Sequence, residues 1–110
     1  MTVNLSLQII PVNAADAYPI IDAAIHVVQA SDVKYEVQPF ATLLEGPLEE
    51  VMTVAMQAKE AALQAGGEEL VINLQLHLKK NQDVHFEDKT RKFDALRPPV
   101  DTTTQQEEGL

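Results

Sequence analysis

Cysteine is absent from this chain. Disulfides, thiolate nucleophiles, iron–sulfur ligation and thiolate-bound zinc are therefore excluded, which leaves oxygen and imidazole as the strong metal-binding chemistry. Bases are scarce as well: eight Lys and Arg against seventeen Asp and Glu give a formal charge of −9 and an isoelectric point of about 4.6. A surface of that sign has no general attraction for phosphate backbones or anionic lipids, so neither nucleic acid nor membrane is an expected partner. No apolar run approaches the roughly 20 residues that span a bilayer. Met1-Thr2-Val3-Asn4 lacks the basic start and apolar core of a secretory signal, and the expected location is the cytoplasm. Written signatures of catalysis are missing too: there is no HExxH, Walker loop, GxGxxG fingerprint or glycine-flanked serine. His26, His77 and His85 share no metal-ligand spacing. No metal, cofactor or catalytic residue is expected.

What is present fits one domain, because 110 residues with 45% hydrophobic side chains supply a single core and too little for two. Charge is unevenly placed along it. Residues 1–76 carry ten acids and two bases, residues 77–97 four acids and six bases, and residues 98–110 three acids and no base. Lys79, Lys80, Lys89, Arg91 and Lys92 thus form a basic island in an acidic chain. Gathered at one edge they would attract a phosphate; dispersed, they offset Glu87, Asp88 and Asp94.

Hydrophobic periodicity divides the chain. Val3, Leu5, Leu7 and Ile9 alternate with polar residues, as on a strand facing a helix layer, until Pro11 interrupts the ladder. Asn13 to Asp16 can cap a helix with Pro19 in its first turn, ending near Ser31 and presenting Tyr18, Ile21, Ile25 and Val28 as one stripe. Val33–Val37 and Phe40–Glu45 read as two short antiparallel strands joined around Gln38-Pro39. A second helix is predicted from Pro47 to Gln64 or Ala65, with Glu49 and Glu50 at the positive end of its dipole and Gly66-Gly67 as its stop. Its apolar face is Leu48, Val51, Ala55, Ala58 and Ala62, widened by Met52, Met56 and Leu63. The clearest strand is Leu70–Lys79, with Leu70, Ile72, Leu74, Leu76 and Leu78 on one side. Residues 84–96 supply a short strand or helix that covers an edge.

This order predicts an α+β domain over residues 1–97, a ferredoxin-like βαββαβ two-layer sandwich with an additional short C-terminal element. Residues 98–110 form an acidic tail with little apolar surface to offset the entropy of ordering, and are expected to be flexible. Nothing in a chain of this length covers the second face of the sheet. Exposed apolar groups such as Ile10, Leu44 and Phe40 would then favour a partner sheet or partner edge, and self-association is expected.

The residues with most chemical content cluster before the second helix, in Pro39-Phe40-Ala41-Thr42-Leu43-Leu44-Glu45-Gly46. Phe40 or Tyr35 can offer a flat contact, Thr42 a donor or acceptor, and Glu45 an acceptor for an exocyclic amine or protonated ring nitrogen. That set suits a small polar heteroaromatic ligand. The same residues also fit plain structure, with Phe40 packing, Thr42 favouring a strand and Glu45 capping the helix. Gln8 and His77 place polar groups on strands, and Ser31 places one at the first helix exit, where each either contacts ligand or satisfies a neighbour. An enzyme would use Glu45 or His77 as its acid or base; an interaction module would bury Tyr35 and Phe40 against a protein.

Taken in order, several segments resemble the thiamine-binding-protein family of small single-domain proteins. They are Ile9-Ile10-Pro11, Tyr18 to Ile25, Ser31 to Val37, Pro39 to Gly46, Leu48-Glu49-Glu50-Val51-Met52 and Glu87-Asp88-Lys89-Thr90-Arg91-Lys92, together spanning most of residues 3–97. The resemblance implies a ferredoxin-like subunit in a dimer or a dimer of dimers. It also implies binding of thiamine or its hydroxymethylpyrimidine portion without chemical change, with Tyr35, Thr42 and Glu45 in the recognition region.

Overall fold

The computed structural model describes residues 1–94; the tail expected over 98–110 lies outside them. The elements are β1 (Thr2–Pro11), α1 (Tyr18–Ala30), β2 (Lys34–Val37), β3 (Thr42–Pro47), α2 (Leu48–Gln64), β4 (Leu70–His77) and α3 (Phe86–Asp94). The four strands form one antiparallel sheet in the order β2-β3-β1-β4. With α1 and α2 packed on one face, this is the ferredoxin-like sandwich, extended at its C-terminal end by α3.

Alternation on β1 sends Val3, Leu5 and Leu7 into the core, where they meet Leu44 of β3, Ile20, Ala24 and Val28 of α1, and Val51, Val54, Ala55, Ala58 and Ala62 of α2. The small side chains of α2 let its backbone approach the sheet. That helix stops as its glycines require. Gly66 adopts φ 117°, a conformation that side chains with a Cβ avoid, and the Gly67 amide donates to the Ala62 carbonyl at 3.0 Å. A Cβ on Gly67 would stand 2.9 Å from that carbonyl oxygen.

Several expectations shift by a residue or a face. Tyr18 is 76% exposed, because it lies two residues, about half a turn, from the buried Ile20; the inward row is Ile20, Ala24 and Val28, with Ile21 and Ile25 half-buried beside it. On α2, Leu48 is exposed at the N-terminus and Val54 takes a buried place. Leu44 is fully buried rather than open to a partner, since it lies between Leu5 and Tyr35 on the helix side; Leu43 is the β3 leucine on the open face. β3 starts at Thr42 instead of Phe40, because the Gln38 amide donates to the Ala41 carbonyl and closes a turn. β4 ends at His77, two residues early, and the chain reverses through Asn81 at φ 64° with a single Lys79–Gln82 bridge.

The C-terminal element is a helix; its approach covers the edge of β1 left free where β4 stops, and its first turn meets Glu45 on the open face. Where β4 stops pairing with β1, the Val84 amide donates to the Thr2 carbonyl at 3.0 Å and the Thr2 amide donates to Asp83 Oδ1 at 2.8 Å. Residues 83–84 therefore continue the place of β4 before α3 begins. No helix among the described residues is long and apolar enough to cross a membrane.

Candidate ligand-binding site

β1 outruns β3. It pairs with β3 only as far as Leu7↔Thr42, yet stays paired with β4 to Pro11↔Leu70. Its last four residues consequently have a bare edge on the β3 side, and the 38–41 turn bends away after satisfying its own hydrogen bond. Between this edge, the turn and α1 lies a cavity of about 300 Å³. Leu7, Ile9, Ile21, Ile25 and Val28 give it apolar walls, and a contiguous run of β1, residues 7–11, lines it. The volume is at the small end for ligand pockets, suited to one ring system. Among the described residues, none of its lining side chains carries a charge.

Three of the sequence-derived candidates meet there. Thr42 is buried on the helix side, opposite Leu7 and Val37, and brings a hydroxyl to the wall. Phe40, 84% exposed, stands at the lip and also borders a shallow recess on the open face with Ser6, Asn73 and Gln75. Gln8 borders both; its side chain faces the open side, where Asn73 Nδ2 donates to Gln8 Oε1 at 3.0 Å.

The other four do not join them. Ser31 Oγ donates to the Val28 carbonyl at 2.6 Å and serves the α1 terminus. Tyr35 lies on the edge strand opposite Leu44, half exposed, outside the cavity wall. His77 is exposed on the open face opposite Asn4. Glu45 also points to that face, because three residues along a strand from Thr42 reverses the side.

Glu45 is committed to a different task. Only 6% exposed, it accepts from Asn4 Nδ2 at 3.1 Å and from the Phe86 amide at 2.6 Å through Oε1. Its Oε2 lies 3.2 Å from Lys34 Nζ and 3.5 Å from His85 Nδ1. Burial alone would raise its pKa, but the Phe86 amide, Lys34, Asn4 and His85 together hold it below the usual carboxylate value. Lys34 also pairs with Glu87 of α3, and those two contacts, Glu87 first, raise the lysine's pKa. Asn4 completes the latch by donating to the Val84 carbonyl at 3.0 Å. Nothing local in the sequence marks Asn4, whose partners are 41 and 80 residues away.

Among the described residues no group of three or more His, Asp or Glu is arranged to hold a metal ion. What the cavity offers is enclosure by apolar side chains, one hydroxyl, one aromatic lip and the backbone of β1. These can bind and orient a small flat molecule.

Known proteins share this fold. The family profile described as thiamine-binding protein matches residues 5–94. A UPF0045 protein of Clostridium perfringens is 28% identical over 93 residues, spanning 84% of this chain and 97% of that protein. Among solved structures, a domain of unknown function from Bacillus cereus has a TM-score of 0.79 at 34% identity, covering 84% of this chain and 89% of that one. A Thermotoga maritima protein described as a candidate thiamine biosynthesis/salvage protein has a TM-score of 0.75 at 28% identity, covering 84% of this chain and 99% of that one.

Proposed function

Because this chain belongs to the thiamine-binding protein family, we propose that it binds thiamine or its hydroxymethylpyrimidine moiety without chemical change. The ring sits in the cavity between α1 and the bare edge of β1. A role in buffering, delivery or sensing in the cytoplasm, as a homodimer or homotetramer, follows from the same reading.

The observation that carries it is the cavity itself, about 300 Å³ with apolar walls and a buried Thr42 hydroxyl. A neutral pyrimidine ring fits such walls. The cationic thiazolium ring of thiamine would lie outside, since the lining has no carboxylate to offset the desolvation of a charge. Binding without turnover is supported by the position of Glu45, the acid that the sequence offered for catalysis: it faces the opposite side of the sheet and is held by Asn4, Phe86, Lys34 and His85. Thr42 and Phe40 are the side chains placed to contact the ligand, whereas Gln8 is turned to the open face by its bond with Asn73.

Calorimetric titration with thiamine and with hydroxymethylpyrimidine tests the reading. Both are expected to bind with a shared site, each displacing the other. Absence of heat for either at millimolar ligand, or steady conversion of the pyrimidine during incubation, overturns it.

A further inference from the structure

The hydrogen bonds of β1 leave backbone groups unused along the cavity wall. In an antiparallel ladder, alternate residues turn both their N–H and their C=O toward one neighbour, and the residues between them turn toward the other. The Val12 amide donates to Glu69, in line with the β1–β4 register, and the Thr2 carbonyl accepts from Val84 on that same side. Even-numbered residues of β1 therefore address β4. Odd-numbered residues address β3, whose last partner for β1 is Thr42, opposite Leu7.

Ile9 is the next odd residue. Its N–H and C=O point where a continued β3 would have placed Phe40, but the turn there is closed on itself by the Gln38–Ala41 bond. Neither Ile9 group has a hydrogen-bond partner among the described residues. Pro11 follows on the same side with a carbonyl and no N–H. The peptide groups of residues 7–11 thus present a donor beside an acceptor along the wall of the cavity.

We propose that the Ile9 peptide is the specificity element of this site and reads the edge of an amino-substituted heteroaromatic ring. Its N–H donates to a ring nitrogen, and its C=O accepts from the adjacent exocyclic amine, so the ring takes the place of the missing rung of the sheet. In that plane it lies against Ile21 and Ile25 and beside Phe40. The inference rests on the reading that the cavity holds the pyrimidine ring. It adds that the exocyclic amine is required, and that the selecting groups belong to the backbone.

The test uses the full chain, uniformly labelled with nitrogen-15, and two probes: hydroxymethylpyrimidine and its analogue lacking the exocyclic amine. Without ligand, the Ile9 amide should exchange with solvent faster than those of Gln8 and Ile10, which are paired with β4. With saturating hydroxymethylpyrimidine its resonance should shift and its exchange should slow, while the analogue should bind about tenfold more weakly, the loss expected for one hydrogen bond left unmade at an enclosed site. If calorimetry shows binding but Ile9 exchange is unchanged, or if both probes bind equally, this inference is wrong and the ligand reading survives. If neither probe nor thiamine binds, the ligand reading falls and takes the inference with it.

Discussion

Thr42 and Glu45 stand three residues apart on β3 and have opposite destinies. Replacing Thr42 by Val keeps its shape and removes one hydroxyl from the cavity wall, so ligand affinity should fall by about two- to tenfold, as one neutral hydrogen bond allows. Thermal stability should hardly change, which a melting curve beside the titration would check. Glu45→Gln should do the reverse. It removes charge from a buried group that faces Lys34 and two backbone or amide donors, and should lower stability by about 1–3 kcal/mol with ligand affinity preserved. The pH dependence follows from the same carboxylate. Its folded pKa lies below the ordinary 4.5, so its contribution is fully present above that value and is lost as pH falls through the depressed one. Acid unfolding of the wild type should therefore show a steep limb below pH 4.5 that is shallower in Glu45→Gln. Lys34 acts at the other end, with a pKa raised above 10.5 and stability lost only as pH climbs past it.

Among elements, α3 and α2 are secured by different forces. α3 exposes most of its residues, including Phe93, and its approach is fixed by Val84, Phe86, the Glu45 carboxylate and the Lys34–Glu87 pair. A helix held by few polar contacts opens locally before the core does. Amide exchange across residues 84–94 should speed up more in Glu45→Gln than that of β1 and α2, whose protection falls only by the loss of global stability. Equal acceleration everywhere would show that the latch stabilises the whole domain. α2 is held by close packing, with Ala55, Ala58 and Ala62 fully buried. Ala58→Leu should destabilise by about 1–3 kcal/mol through overpacking, read as a lower denaturant midpoint.

At the scale of the molecule, the described residues leave one face of the sheet only partly covered. Beyond the reach of α3, Ile10 and Val71 are paired neighbours, 39% and 46% exposed, next to a recess bordered by Phe40. If copies associate through this face, Ile10→Lys should shift the particle mass toward the monomer in sedimentation, with the circular dichroism of the fold retained. An unchanged mass would place the contact elsewhere.

Local patterns carried most of the architecture. Period-two alternation in Val3 to Ile9, the alanine-rich face of α2, and the Gly66-Gly67 stop specify a two-layer sandwich because each depends on neighbours within a few positions. Tertiary structure decided which side each candidate faces. Thr42 and Glu45 read as one constellation along the chain, yet the pleat sends them to opposite faces. The start of β3 at Thr42 moves Phe40 from strand to lip. The cavity exists because β1 is longer than its neighbour, and the anchor of α3 exists because Asn4, Glu45 and Val84 meet across 41 and 80 residues. Strand overlap and long-range pairing are properties of the assembled sheet, so no short window of residues could contain them.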